Sequence, residues 1–220
     1  MLKISSRLVI QALQPDTLVN DIVNLCVEAA LYKYAVISVP PMFVAIAKKN
    51  LQNSETKVSS VIGYPYGYNA IESKLAETLL AIVDGADEIN LTASTTAIKN
   101  NDWQYIANEI NTINPIVKRK DKSLTVTLET ILLTREEIIR ACDVYGASGI
   151  DFLQGGTGII GSERNDNISL IRTHLADSVK IIATDNNPSY KLTKEYINEG
   201  ADRIGIRDGL NLILEEAALN

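Results

Sequence analysis

Gly149-Ile150-Asp151-Phe152-Leu153-Gln154-Gly155-Gly156-Thr157-Gly158 is the stretch on which the reading of this chain turns. Ile150 and Leu153 flank Phe152 as in a short buried strand, and three glycines and a threonine follow at once. A strand that delivers a polar side chain to the mouth of a glycine-rich turn is a common way to build a small-molecule site. The delivered side chain here is Gln154, an amide with no useful acid–base chemistry. What fold this strand belongs to, and what surrounds Gln154, follow from the rest of the sequence.

The same pattern recurs along the chain. Near-continuous apolar runs at 8–13, 35–39, 58–62, 88–91, 123–128, 150–153, 179–184 and 202–206 read as strands buried on both faces, as in a covered parallel sheet. Between them, helical patterns fall at 18–33, 43–51, 70–84, 103–113, 134–145, 167–174, 192–199 and 209–219. Asp16 or Thr17 is placed to cap the first helix and Thr134 a later one, and Pro40-Pro41 stops the second strand. Gly85, Gly146 and Gly200 read as helix-ending glycines, each followed by alanine and a strand. Eight strands alternating with eight helices predict a closed (β/α)8 barrel, one domain over residues 1–220, with its site at the strand C-termini. A doubly wound open sheet is the alternative, although no early GxGxxG supports a nucleotide-binding version.

Bulk properties narrow the function. The 220 residues are 46% hydrophobic and 22% charged, ordinary for a soluble globular protein. A net charge of −6 argues against general attraction to nucleic acid or an anionic membrane, and no apolar run is long enough for a span. The basic stretch 118–122 reads as a solvated loop. Cys26 and Cys142 sit in helical patterns, which fits a reduced, cytoplasmic setting without disulfides. With one histidine, His174, and no CxxC, neither a metal nor a cofactor is expected.

The strand ends assign the barrel mouth to Gln11, Ser38, the loop from Gly63 to Gly67, Asn90, Thr92, Glu129, Gln154, Thr184, Asp185, Arg207 and Asp208. Histidine, cysteine and lysine are absent from this set. Amine catalysis on a carbonyl needs a lysine with a depressed pKa. Of the 13 lysines only Lys180 falls on an expected strand, about 6–7 Å below the mouth, where it is read as snorkelling to the barrel floor. Glu129 and Asp185 can serve as an acid–base pair or a cation site, or be ordinary rim carboxylates. The turn Gly155-Gly156-Thr157-Gly158 can present N–H groups to an anion or be a tight packing turn. Tyr64, Tyr66 and Tyr68 form an aromatic wall or stand as exposed loop residues.

Taken together, these residues resemble the deoxyribose-phosphate aldolase family over almost the whole chain. The likeness is carried by Val61-Ile62-Gly63-Tyr64-Pro65-Tyr66-Gly67, by Gly85-Ala86-Asp87-Glu88-Ile89, by Leu128-Glu129-Thr130 with Leu133-Thr134, by Asp151-Phe152 with Thr157-Gly158, and by Gly200-Ala201-Asp202-Arg203-Ile204-Gly205. The resemblance implies a (β/α)8 barrel, often dimeric, that cleaves 2-deoxyribose 5-phosphate through a lysine Schiff base. It also implies that the Schiff-base lysine position is held by Gln154, the second active-site lysine by Ile182, the aspartate by Asn90, and a strand lysine by Thr125. The family's phosphate-binding glycine pair falls on Asp185-Asn186 and its serine pair on Arg207-Asp208.

Gln154 cannot form an iminium and Asn90 cannot relay a proton. The expectation is therefore an altered member of the family without Schiff-base chemistry. It would bind a small polar molecule, phosphorylated or not, or a protein partner. The expected ligand positions are Asn90, Thr125, Glu129, Gln154, Gly155, Gly156, Thr157, Gly158, Thr184, Asp185, Asn186, Arg207 and Asp208. Two competing readings are an enzyme working through Glu129, Asp185 or Asp208 with or without a metal, and residual aldolase activity through Lys180.

Overall fold

The computed structural model describes residues 3–160 and 167–219. Eight parallel strands close in sequence order, β1 (Leu8–Gln11), β2 (Val36–Val39), β3 (Lys57–Ile62), β4 (Glu88–Thr92), β5 (Ser123–Thr127), β6 (Phe152–Gln154), β7 (Lys180–Thr184) and β8 (Arg203–Ile206), with β8 pairing back onto β1. The chain is a (β/α)8 barrel. Its outer layer holds α1 (Val19–Tyr32), α2 (Val44–Asn50), α3 (Ile71–Val83), α4 (Thr95–Lys99), α5 (Trp103–Arg119), α6 (Arg135–Ala147), α7 (Ile168–His174), α8 (Tyr190–Asn198) and α9 (Leu210–Ala218). None of the helices among the described residues is long and apolar enough to cross a membrane.

Because strand side chains alternate, each strand feeds two cores. Leu8, Ile10, Ile37, Ile89, Leu91, Leu124, Val126, Leu153, Ile181, Ile204 and Ile206 face outward into the main apolar layer beneath the helices. Val9, Val36, Phe152 and Ile182 form a small separate cluster inside the barrel. The other enclosed positions of the strands are largely polar. Glu88 on β4 crosses the floor to Arg203 on β8 through two contacts of 3.2 and 2.8 Å, and the guanidinium lies 4.2 Å over the Phe152 ring.

Several local expectations are corrected. A ninth helix, α4, occupies what reads as a polar turn; Ser94 caps it by accepting from the Ala97 N–H at 3.3 Å. The first helix is capped by neither Asp16 nor Thr17: Asp21 reaches back to accept the Leu18 N–H at 2.8 Å. α5 does not stop at Ile113. Its buried face continues through Ile113 and Val117, and exposed Pro115 forfeits a bond on the solvent side where water can replace it. Lys118 and Arg119 thus end a helix rather than open a loop, and Lys118 pairs with Asp151 at 2.7 Å. Gly146 lies within α6, and the left-handed turn is made by Gly149 at φ 69°. Lys57 opens β3, so Lys180 is not alone in being a strand lysine.

One buried pair ties the helical layer to the barrel. Lys74 on α3 is fully enclosed; its Nζ donates to Glu109 of α5 at 2.6 Å and to the Thr92 carbonyl at the end of β4 at 2.9 Å. Burial raises the Glu109 carboxyl pKa, and the neighbouring ammonium opposes that rise. Removing one member of such a pair leaves a charge without compensation, at about 3–5 kcal/mol, whereas replacing both is far milder. Lys74→Met should therefore lower stability by about that amount in urea unfolding, and Lys74→Met with Glu109→Leu should recover most of the loss. A single variant as stable as the parent would show that the pair contributes nothing.

Candidate functional site

Strand register decides which side chains meet inside the barrel. Thr127 sits beside Gln154, and Gln154 beside Ile182, whereas Thr125 lies one layer lower beside Phe152. Across this upper layer the Thr127 hydroxyl donates to Asn90 Oδ1 at 2.6 Å, and Asn90 Nδ2 donates to Gln154 Oε1 at 3.2 Å. Gln154 Nε2 then donates to the Gly156 carbonyl at 2.7 Å. Asn90 and Gln154, predicted for the site, do converge, and they do so on each other. Thr127 is the member that sequence reasoning missed, although it shares a strand face with Thr125 two residues before it.

The glycine turn closes over this layer by internal bonds. The Gly155 N–H donates to the Ile182 carbonyl at 3.1 Å, and the Thr130 hydroxyl donates to the Gly155 carbonyl at 2.8 Å. Thr157 donates both its N–H, at 2.7 Å, and its hydroxyl to Glu129 Oε1. Gly158 adopts φ 76°, and its carbonyl accepts from Asn186 Nδ2 at 3.2 Å and from the Arg207 guanidinium at 3.3 Å. Glu129 is buried; desolvation pushes its carboxyl pKa up, and the two Thr157 bonds hold part of that rise back. Burial, then the Glu129 charge, pushes the Tyr64 phenol up to about 12.

A second group of polar atoms faces the same mouth without partners. Gln11 Nε2, Ser38 Oγ and Thr184 Oγ1 are buried and have no hydrogen-bond partner among the described residues. They lie on β1, β2 and β7, with Gln11 and Thr184 beside Gly205 of β8 and Ser38 beside Gln11. A Cβ on Gly205 would come within 3.0 Å of Gln11 Nε2 and 3.4 Å of Thr184 Oγ1. Lone buried donors and acceptors of this kind are costly, and they are commonly satisfied by a bound solute or ordered water.

The predicted carboxylates part company. Asp185 accepts from the Tyr196 hydroxyl at 2.7 Å and from the Asn187 N–H at 3.0 Å, so α8 holds it at the rim. Asp208 accepts the Leu210 N–H at 2.9 Å at the start of α9. Neither pairs with Glu129, and no three His, Cys, Asp or Glu side chains gather into a metal-binding group among the described residues. Tyr66 and Tyr68 stack with centroids 5.1 Å apart and, with Lys99, Glu129 and Leu132, line a side cavity of about 240 Å³. Lys180 sits at the opposite end of the barrel, its Nζ 5.7 Å from the Phe152 ring centroid. Lys74 is a buried lysine outside the strands, so strand position alone does not reveal it. Its sequence signal is a lysine sharing a helical face with Thr78 and Ala81.

No family profile matches the chain. The deoxyribose-phosphate aldolase of Clostridium botulinum (strain Loch Maree / Type A3) is 33% identical over 213 residues, covering 96% of this chain and 100% of that protein. The deoxyribose-phosphate aldolase of Thermococcus kodakarensis is 32% identical over 204 residues, covering 91% of each. The solved tetrameric deoxyribose phosphate aldolase from Aeropyrum pernix superposes with a TM-score of 0.89 at 22% identity, over 99% of this chain and 92% of that one, and so shares the fold.

Glu129 gives a pH signature. Its raised pKa contributes stability that is fully present below the ordinary carboxylate range and is lost as pH rises through its own higher value. The parent should therefore lose stability relative to Glu129→Gln as pH rises above the ordinary carboxylate range. Urea midpoints measured in parallel check this; a constant difference between the two curves would refute it.

Proposed function

The chain belongs to the deoxyribose-phosphate aldolase family, and we propose that it binds a small polar ligand at the barrel mouth without forming a Schiff base. The observation that carries this reading is the bond between Asn90 and Gln154. The family resemblance puts the aspartate and the Schiff-base lysine of active members at these two positions. Here they are neutral amides, each turned toward the other. Ile182, at the second lysine position, packs against Val9, Val36 and Phe152, so the residue at that position offers no amine to take over.

The polar atoms of Gln11, Ser38 and Thr184 supply both donors and acceptors, which suits a ligand rich in hydroxyl groups. Arg207, exposed at the rim beside Gly158, suits an anionic end of the ligand, a phosphate included. The glycine turn itself favours a neutral group, because Glu129 lies against it and two of its N–H groups, of Gly155 and Thr157, are already used, as is that of Ile159 just after it. The same proposal includes a homodimer, supported by the family relationship and by the exposed Val27 and Leu31 of α1 and Leu80 and Val83 of α3.

A second reading is favoured by one feature. Glu129 holds its proton to higher pH than an ordinary carboxyl and stands near Tyr64, which is an arrangement suited to general acid catalysis. Activity through Lys180 has less support, since that residue is at the barrel floor.

Borohydride reduction in the presence of acetaldehyde or deoxyribose 5-phosphate should leave the mass of the intact protein unchanged; an adduct on any lysine overturns the proposal. If instead the parent cleaves deoxyribose 5-phosphate with no adduct, and Glu129→Gln abolishes the cleavage, the carboxyl-based reading replaces it. Thr184→Val with Gln11→Leu should weaken binding of a polyol phosphate at least about tenfold, the loss of one to two hydrogen bonds.

A further inference from the structure

The opposite face of the barrel carries positive charge that the fold does not use. Arg7 ends the N-terminal 3-10 turn (Ile4–Arg7), Lys180 opens β7 and Arg203 opens β8. Together with Ser6, Phe152 and Asp202 they line a cavity of about 290 Å³ at the barrel floor. Arg203 is structural: it spans the floor to Glu88 and covers the Phe152 ring. Asp202 accepts the Ile181 N–H at 2.9 Å. Lys180 and Arg7 hold nothing comparable. Neither has a carboxylate partner among the described residues, and Lys180 only leans toward the Phe152 ring.

The charge around the cavity is out of balance. Three cations, Arg7, Lys180 and Arg203, line the cavity against one carboxylate, Asp202, and Lys57 stands 3.4 Å from Glu88. Glu88 is shared between Lys57 and Arg203, leaving Lys180 and Arg7 as a surplus of two positive charges. This surplus stands out in a chain whose net charge is −6. Like charges gathered at a low-dielectric wall raise the local concentration of counter-ions, and a concave site does so more strongly than a flat one. Arg presents a planar set of donors suited to phosphoryl oxygens, and Lys a mobile point charge.

We propose that this floor cavity is a second, separate binding site for a phosphoryl dianion, held between Lys180 and Arg7 with Arg203 as its fixed wall. It is independent of the mouth: Phe152, Ile182 and the interior apolar cluster lie between the two ends. The cavity accommodates inorganic phosphate or the phosphate of a small monoester.

The experiment is calorimetric titration with inorganic phosphate, and separately with glycerol phosphate, at ionic strength held constant with chloride. Three proteins are compared: the parent, Lys180→Gln with Arg7→Gln, and Arg207→Gln at the mouth. Lys180 is exposed and Arg7 half-buried, so the double variant should fold, which circular dichroism checks. Saturable phosphate binding that weakens at least about tenfold in the double variant and persists in Arg207→Gln supports the site; removing two charge-assisted hydrogen bonds to the anion makes that a conservative expectation. Tighter binding of glycerol phosphate than phosphate identifies a monoester as the ligand, and equal binding identifies the free ion. Absence of saturable binding, binding unchanged in the double variant, or equal weakening in both variants overturns the proposal.

Discussion

The hydrogen bond between Asn90 and Gln154 bridges β4 and β6 over the intervening β5, inside a closed barrel where a buried polar atom left without a partner is costly. That constraint organises the layers on either side. Above it, the Gly156 carbonyl must turn inward to accept from Gln154, which sets the path of the glycine turn. Beside it, Thr127 must donate to Asn90. Ile182 beside Gln154, with Phe152, Val9 and Val36, fills space with no polar demand of its own, and the floor is closed by Glu88 and Arg203. Gln11, Ser38 and Thr184 stand outside these bonds, so the interior is a set of local solutions rather than one network.

Ionisable groups in this protein are treated in three ways. Lys74 and Glu109 are buried together, and their attraction offsets the loss of hydration. Glu129 is buried with no cation paired to it among the described residues; its proton is retained to higher pH and Thr157 donates to it. Asp185, Asp208, Lys180 and Arg7 are kept at the two open ends. The upper interior, where charge would bear on a bound ligand most strongly, holds amides and hydroxyls instead.

The order of strands and the barrel they form were legible because strands buried on both faces read as apolar runs, and because Gly85 and Gly200 do end helices at φ 100° and 113°. α4 was not legible, since five residues are too few to show a period. The run of α5 past Ile113 was not legible either; Pro115 within it is exposed, where the general penalty of a helical proline is largely escaped. At the mouth, Gln154 and Asn90 were found from strand position and resemblance, but their mutual bond was not, since register between β4 and β6 is a property of the closed barrel. Asp185 was legible as a rim carboxylate, catalytic or ordinary; only the fold brings Tyr196 to it from α8. The solitary polar atoms of Gln11, Ser38 and Thr184 have no sequence signature at all, because being unpartnered is a statement about neighbours.

Gly63 stands directly over the Lys74 stem. With φ 65° and only 2.7 Å between its would-be Cβ and Lys74 Cε, it leaves room for hydrogen alone. A loop glycine, a lysine on α3 and a glutamate on α5 are thereby bound into a single unit of inheritance. Lys74 cannot become neutral while Glu109 keeps its charge, and Gly63 cannot acquire a side chain while Lys74 fills the space beneath it. Across diverging sequences these three positions should drift together or not at all, and a mutational library should sample them as one block.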